Sequence, residues 1–180
     1  ILGVGVGWAE EEFAALQVPF NKRGAMTNDY LAAIRELWTN DIASHDGPYV
    51  QFDKVQTAPK PVRKPHPPIW VGGSSDAALR RTVRLADAWH PIRFTLDWMR
   101  DTGVPRLQEV ADAEGQPMPS VCPRIRLRIT DETQPEDGRY CGTGTIDQIR
   151  RDIVGLEALG CEYILLDTHH DDIEASRNLE

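Results

Sequence analysis

The 180-residue chain is 41% hydrophobic, 27% charged and 7% aromatic, the composition of a globular domain long enough to bury a core, and unlike that of a disordered or fibrous chain. Its 20 Lys and Arg against 28 Asp and Glu give a net charge of −8, which argues against a nucleic-acid partner, since such a surface needs a basic field. No apolar run approaches the roughly 18 residues of a membrane-spanning helix, and Cys122, Cys141 and Cys161 are too few and too widely spaced for a disulfide framework or a zinc pattern, so a cytoplasmic protein with no membrane partner is expected.

The opening Ile1-Leu2-Gly3-Val4-Gly5-Val6-Gly7-Trp8 reads as a buried strand without an initiator Met, so an N-terminally truncated chain is expected. A helix is predicted over Thr27 to Thr39, with Thr27 as N-cap, Asp29 in the first turn and Leu31, Ile34, Leu37 and Trp38 on its apolar stripe. From Asp46 to Pro68 the pattern dissolves into Gly47-Pro48 and then Pro59, Pro61, Pro65, Pro67 and Pro68, a proline-rich connecting segment within the domain. A polyproline strap over its own domain is the simpler reading, a PxxP-type docking segment the other.

Ile69-Trp70-Val71 is a short buried strand, followed by Gly72-Gly73-Ser74-Ser75-Asp76 and a helix from Ala77 to Ala86. On that helix Leu79, Val83 and Ala86 share a face, and Arg80, Arg81 and Arg84 form a solvated one. Ala88-Trp89-His90-Pro91 supplies a further strand. Leu96 to Ala113 is helical with a break near Gly103-Val104-Pro105, and Val121 to Ile129 alternates apolar and Arg residues as a strand. Thr145 and Gln148 form a capping box opening a helix with Ile146, Ile149, Ile153 and Leu156 buried and Gly160 as its stop. Tyr163-Ile164-Leu165-Leu166 is the last strand.

Five strands alternating with four helices predict parallel strands joined by right-handed crossovers. An open doubly wound sheet and part of a (β/α)8 TIM barrel both fit. The mid-strand opening favours the barrel: at eight units in about 250 residues, three further units would add roughly 90 residues before Ile1.

Trp70-Val71-Gly72-Gly73-Ser74-Ser75-Asp76 is the most informative local feature. Two glycines after a strand let backbone approach an anion, and the helix start adds unpaired N–H groups and the positive end of its dipole. A tight strand-to-helix turn capped by Ser75 or Asp76 fits equally. Gly3-Val4-Gly5-Val6-Gly7 is not a dinucleotide fingerprint, because GxGxG is not GxGxxG and no helix follows directly. Gly5 and Gly7 can still open space for a flat ring with Trp8 as its wall. His90 stands at the same end of the strands as a candidate substrate contact. His169-His170-Asp171-Asp172 follows the last strand, but adjacent histidines diverge on an extended chain, so no metal site is expected.

Together these segments resemble the bacterial luciferase-like monooxygenase family, in particular its branch dependent on the deazaflavin coenzyme F420. The resemblance rests on Leu2 to Trp8, Glu12-Phe13, Pro19-Phe20 with Arg23-Gly24, Leu37-Trp38, Gly47-Pro48-Tyr49 with Phe52, and Pro59-Lys60-Pro61. Downstream it continues through Pro67 to Ser74, Ala78-Leu79-Arg80-Arg81 and Ala86-Asp87-Ala88-Trp89, where Ala88 replaces the usual glycine. It implies one luciferase-like domain over residues 1–180, an incomplete (β/α)8 barrel comprising about strands four to eight.

By resemblance, Gly72, Gly73 and Ser74 hold the phosphate of F420, or of FMN as the alternative, and Gly5, Gly7 and Trp8 lie near its ring system. The implied reaction is hydride transfer between F420 and a small organic substrate. The FMN alternative is oxygenation by reduced FMN and O2, with no catalytic acid or base identified in either case. Arg80, Arg81, Lys60, Arg63 and Lys64 flank the Gly72 turn in sequence and are candidates for the cofactor's phosphate or acidic tail. A homo-oligomer of the full-length parent is expected. The reading from another class is a non-catalytic half-barrel that binds a phosphate-bearing ligand and partners another chain across its open edge.

Overall fold

The structure is a computed structural model describing residues 1–168. Its first half contains β1 (Leu2–Val4), α1 (Glu10–Ala15), α2 (Arg23–Thr39), β2 (Ala43–Asp46), β3 (Gln51–Val55), β4 (Ile69–Val71) and α3 (Asp76–Leu85). Next come β5 (Ala88–Trp89), α4 (Leu96–Trp98), a π-helical turn (Met99–Gly103), α5 (Val104–Glu114), β6 (Ser120–Val121) and β7 (Arg124–Arg126). The series ends with β8 (Arg128–Ile129), β9 (Thr143–Gly144), α6 (Ile146–Ala158) and β10 (Leu165–Asp167). No helix among the described residues is long and apolar enough to cross a membrane.

A parallel sheet in the order β1-β4-β5-β6 forms the frame, with parallel pairs β7–β10 and β8–β9 beyond it. The expected strand from Val121 to Ile129 is one extended stretch that changes partners. Pro123 has no N–H to donate, and at Leu127 and Arg128 the chain passes from the carbonyl of Asp167 to that of Gly142. Residue alternation reports the pleat, not the partner.

Burial follows the two faces of the short strands. Ile69 and Val71 pack with Leu31 under α2, whereas Trp70 turns to the opposite face with Ala88 and Cys122. Ala88, the replacement for glycine, is 1% exposed and fills that small cluster with its methyl group. Trp89, Leu79, Leu107, Val121, Ile125 and Leu156 make up the main core.

Several expectations are corrected by packing. The long helix starts four residues earlier than expected, at Arg23, and Thr27 lies inside it with its hydroxyl donating to the Arg23 carbonyl at 2.8 Å instead of capping. Part of the Asp46 to Pro68 span is an antiparallel hairpin, β2–β3, joined through Gly47-Pro48. Arg81 is 6% exposed and donates to Asn28 at 2.6 Å and to the Gly24 carbonyl at 3.0 Å, so it ties α3 to α2 and leaves the solvated face. Ile146 and Ile153 of α6 are exposed while Ile149 and Leu156 are buried, because α6 packs through a narrower stripe than its sequence offers. The capping box at Thr145 and Gln148 forms as expected.

The hairpin is clasped to α2 by Asp29, whose carboxylate accepts from Tyr49 N at 2.8 Å and Val50 N at 3.0 Å and meets His45 Nε2 at 2.7 Å. Burial pushes this carboxyl up, but the hydrogen bonds from His45 and the two amides outweigh it and hold it below its ordinary value of 3.8. A depressed folded value stabilises above the unfolded one and is lost as pH falls through it. Denaturant unfolding of the wild type and Asp29→Asn is therefore expected to show a stability gap at pH 7 that narrows towards pH 3. An equal gap at both would remove the Asp29 clasp as its cause.

Candidate functional site

The C-terminal ends of β1, β4 and β5 lie side by side. Gly72 N donates to the Val4 carbonyl at 2.9 Å and His90 N to the Val71 carbonyl at 2.8 Å. Gly5 and Gly7 follow β1, Gly72, Gly73 and Ser74 follow β4, and His90 follows β5, so the sheet brings these predicted residues to one rim.

The β4–α3 turn has the features of an anion cradle. Gly73 has φ of +98°, a backbone conformation that side chains disfavour, and a Cβ there would stand 3.0 Å from Ala78 Cβ. Its carbonyl accepts from the indole of fully buried Trp89 at 2.8 Å, which anchors the turn to the core. Gly73 and Ser74 are exposed, and α3 begins immediately beyond them with Ser75 as N-cap, its hydroxyl accepting from Ala78 N at 3.3 Å. The positive end of the α3 dipole therefore lies beside exposed, glycine-lined backbone.

Gly73 and Ser74 open onto a cavity of about 460 Å³ whose other walls include Arg93, Phe94, Trp98 and Tyr140. A neighbouring cavity of about 420 Å³ shares Ile92, Arg93, Phe94 and Tyr140 with it and extends along Arg124 and Arg126 to Asp167 at the end of β10. The two make one groove along the strand ends. Cys141 is on its wall, but burial pushes that thiol up to about 12, so it stays protonated and is no nucleophile.

Other predicted residues behave differently. Trp8 is 85% exposed, and Gly7 is explained locally by φ of +81° and a Phe13 ring 2.7 Å from where a Cβ would sit. The His90 ring lies 5.4 Å from the Trp70 ring, and Nδ1 bonds the Cys122 carbonyl. A carbonyl only accepts, so Nδ1 carries the hydrogen, and in the neutral ring Nε2 is left as the acceptor. Lys60 does not approach the Gly72 turn: Nζ donates to the Leu37 and Asn40 carbonyls at 2.8 and 2.5 Å, capping the C-terminus of α2. Arg63 and Lys64 line a separate cavity with Ile1, Pro68 and Asp87 at the opposite end of the sheet. His169-His170-Asp171-Asp172 lies outside the described residues, among which no group of three metal-ligating side chains occurs.

Residues 1–137 match the family model for luciferase-like monooxygenases. The chain belongs to the luciferase-like monooxygenase family. An uncharacterized protein of Mycobacterium bovis is 31% identical over 142 residues, covering 72% of this chain and 50% of that relative. The FMNH2-dependent dimethylsulfone monooxygenase of Pseudomonas putida is 34% identical over 87 residues, covering 47% of this chain and 24% of the relative. The chain thus spans half the length or less of these curated relatives.

Among solved structures, an F420-dependent secondary alcohol dehydrogenase in complex with an F420–acetone adduct superposes with a TM-score of 0.74 at 15% identity, covering 96% of this chain and 64% of that one. The coenzyme F420-dependent tetrahydromethanopterin reductase of Methanopyrus kandleri gives 0.75 at 12%, covering 99% and 71%. This luciferase-like chain therefore has the family's α/β fold with parallel strands. Its named relatives are oxidoreductases and monooxygenases, with F420 in some names and FMNH2 in another.

Sequence reasoning missed the groove's far walls. Arg93, Phe94 and Tyr140 lie in connecting segments, and Arg124 and Arg126 read only as the polar side of an alternating strand. The signal available was that alternation: three arginines on the polar face of one strand is a dense positive charge for a chain of net charge −8.

Proposed function

We propose that this luciferase-like chain carries strands four to eight of a (β/α)8 barrel and is an oxidoreductase that transfers hydride between F420 and a small organic substrate. The observation that carries this is the Gly72-Gly73-Ser74 turn, a side-chain-free cradle at a helix N-terminus opening onto a groove at the strand ends. Gly73, with its φ of +98°, leaves exposed backbone without a side chain beside the N-terminus of α3, so the residues present fit a phosphate-bearing cofactor. Gly72, Gly73 and Ser74 would hold that phosphate, and Gly5, Gly7 and the exposed Trp8 would flank the ring system.

When bound, the deazaflavin supplies the hydride chemistry, and the protein supplies position and electrostatics. His90, with its tautomer set by the Cys122 carbonyl, would present Nε2 as an acceptor to a substrate hydroxyl. The second reading, an FMN-dependent monooxygenase, is supported by the Pseudomonas putida relative.

The test is equilibrium titration of the 180-residue chain with F420 and with FMN, followed by cofactor fluorescence. Saturable binding of F420 in preference to FMN is expected. A preference for FMN would move the protein to the second reading, and binding of neither would overturn the assignment of the turn.

A further inference from the structure

Trp89 is a core residue whose single polar atom reaches the site. Its backbone is held on both sides by the sheet, paired with Val71 of β4 and Val121 of β6. The indole is fully buried and packs against Trp98, with ring centres 6.2 Å apart. Gly103, at the end of the π-helical turn, makes the slot for both rings. A Cβ there would stand 2.7 Å from the Trp98 ring and 3.1 Å from the tip of the Trp89 ring. Single π-helical turns are frequent at functional sites, and Trp98 lines the cavity onto which Gly73 opens.

From that fixed place Trp89 Nε1 donates to the Gly73 carbonyl at 2.8 Å. The Gly73–Ser74 peptide bond is trans, and a trans peptide group holds its carbonyl and its N–H on opposite sides. With the Gly73 carbonyl turned inward to the indole, the N–H of the same peptide group, which belongs to Ser74, is turned away from it. Ser74 is exposed, and its N–H donates to no group among the described residues. Glycine is the residue freest to rotate the peptide plane beside it, so the direction of that N–H depends on what the carbonyl is bonded to.

We propose that Trp89 is a positioning residue, whose indole N–H fixes the Gly73–Ser74 peptide plane and so presents the Ser74 N–H to the cofactor's phosphate. This rests on the phosphate reading made above and is independent of which ring system carries the phosphate. A buried indole has one donor and no acceptor, so it can hold the plane in one orientation only.

Two ligand pairs separate the phosphate from the rest of the molecule. One is FMN with riboflavin, and the other is the deazaflavin ending at its ribityl phosphate with the same deazaflavin ending at the hydroxyl. The ratio of affinities within a pair is the phosphate advantage. It is read by fluorescence titration on the wild type and on Trp89→Phe, which keeps an aromatic ring and loses the donor, with circular dichroism confirming the fold. The wild type should show an advantage of about tenfold or more, the size of a charge-assisted contact. Trp89→Phe should cut it about fivefold, the worth of one ordinary hydrogen bond, and leave the hydroxyl-ended ligands unaffected. In amide correlation spectra the phosphate-bearing ligand should move the Ser74 proton downfield, and exchange of the Trp89 indole proton should slow about threefold as the turn is pinned.

An unchanged advantage in folded Trp89→Phe overturns the proposal and leaves the phosphate reading standing. So does an equal loss for both members of a pair, which a merely structural role would produce. If Trp89→Phe does not fold, the wild-type spectra decide: a Ser74 proton and an indole exchange rate unmoved by the phosphate-bearing ligand overturn the proposal. A wild type that binds both members of each pair equally, or none of the four, overturns the phosphate reading and this inference with it.

Discussion

Asp152→Ala is expected to destabilise the chain by about 3–5 kcal/mol, the usual consequence of removing one partner from a buried ion pair. Asp152 and Arg139 have side chains 1% and 8% exposed and form a two-pronged pair, with Nη2 to Oδ1 at 2.7 Å and Nη1 to Oδ2 at 2.8 Å. The same carboxylate accepts from Gly142 N at 2.9 Å, while Arg139 also donates to the Thr143 carbonyl at 2.9 Å and to Glu136 at 2.8 Å. The hydrogen bonds from Gln148 and Arg139 hold the exposed Glu136 carboxyl down at about 2.

Truncating Asp152 leaves the Gly142 amide and Nη2 of the buried guanidinium without an acceptor, with only the Thr143 carbonyl and the exposed Glu136 still holding Arg139, and loosens the 139–144 segment that supplies Tyr140 to the groove. At roughly 2–4 °C per kcal/mol for a domain of this size, the melting temperature should fall by about 6–20 °C. Removing both charges in an Arg139→Met, Asp152→Leu double variant should restore part of the loss, since the cost comes from the stranded charge. A single-variant loss below about 1 kcal/mol would mean that the pair is open to water and behaves like a surface salt bridge.

Gly73→Asp is expected to weaken binding of a phosphate-bearing cofactor by more than tenfold, because it sets a carboxylate against the position assigned to the phosphate. It also strains the fold, since φ of +98° and the 3.0 Å approach to Ala78 Cβ penalise any side chain. Such strain costs about 1–3 kcal/mol of stability. Gly73→Ala carries the same strain without the charge, so the ratio of the two affinities isolates the electrostatic part. Titration with F420 and thermal melts on both variants read the two effects separately. Equal affinities for the Gly73→Asp and Gly73→Ala proteins would show that no phosphate sits at the turn.

Much of the frame was legible because it depends on local pattern. Ile69-Trp70-Val71 between proline and glycine, the Thr145 and Gln148 capping box, and the left-handed stop at Gly160 each involve neighbours in sequence. The hairpin at β2 and β3 was not legible. Ser44, His45, Asp46 and Asp53 are weak strand formers, and the pairing is held by Asp29 from another element. Thr27 reads as a cap by residue type, but the helix continues N-terminally where Arg23 lies 3.8 Å from the centre of the Phe20 ring, a contact no capping rule contains.

The basic residues draw the same distinction at the site. Lys60, Arg63, Lys64 and Arg81 lie within about a dozen residues of the Gly72 turn in sequence. Lys60 caps α2, Arg81 is buried between helices, and Arg63 and Lys64 lie at the far end of the sheet. Of the arginines that do line the groove, Arg93 follows β5, and Arg124 and Arg126 belong to β7 itself.

By itself the sequence determined the alternation of short buried strands and helices and the glycine turn after β4, because hydrophobic period, glycine and capping residues act over a few positions, and the order of its motifs carried the resemblance to the luciferase-like family. Only the tertiary structure decided which strand ends meet, which charges face the groove and which are spent inside the fold. Parallel strands are joined by long crossovers, so paired residues 18 (Trp70 and Ala88) to 67 (Leu2 and Ile69) positions apart become neighbours, and no local rule carries that information.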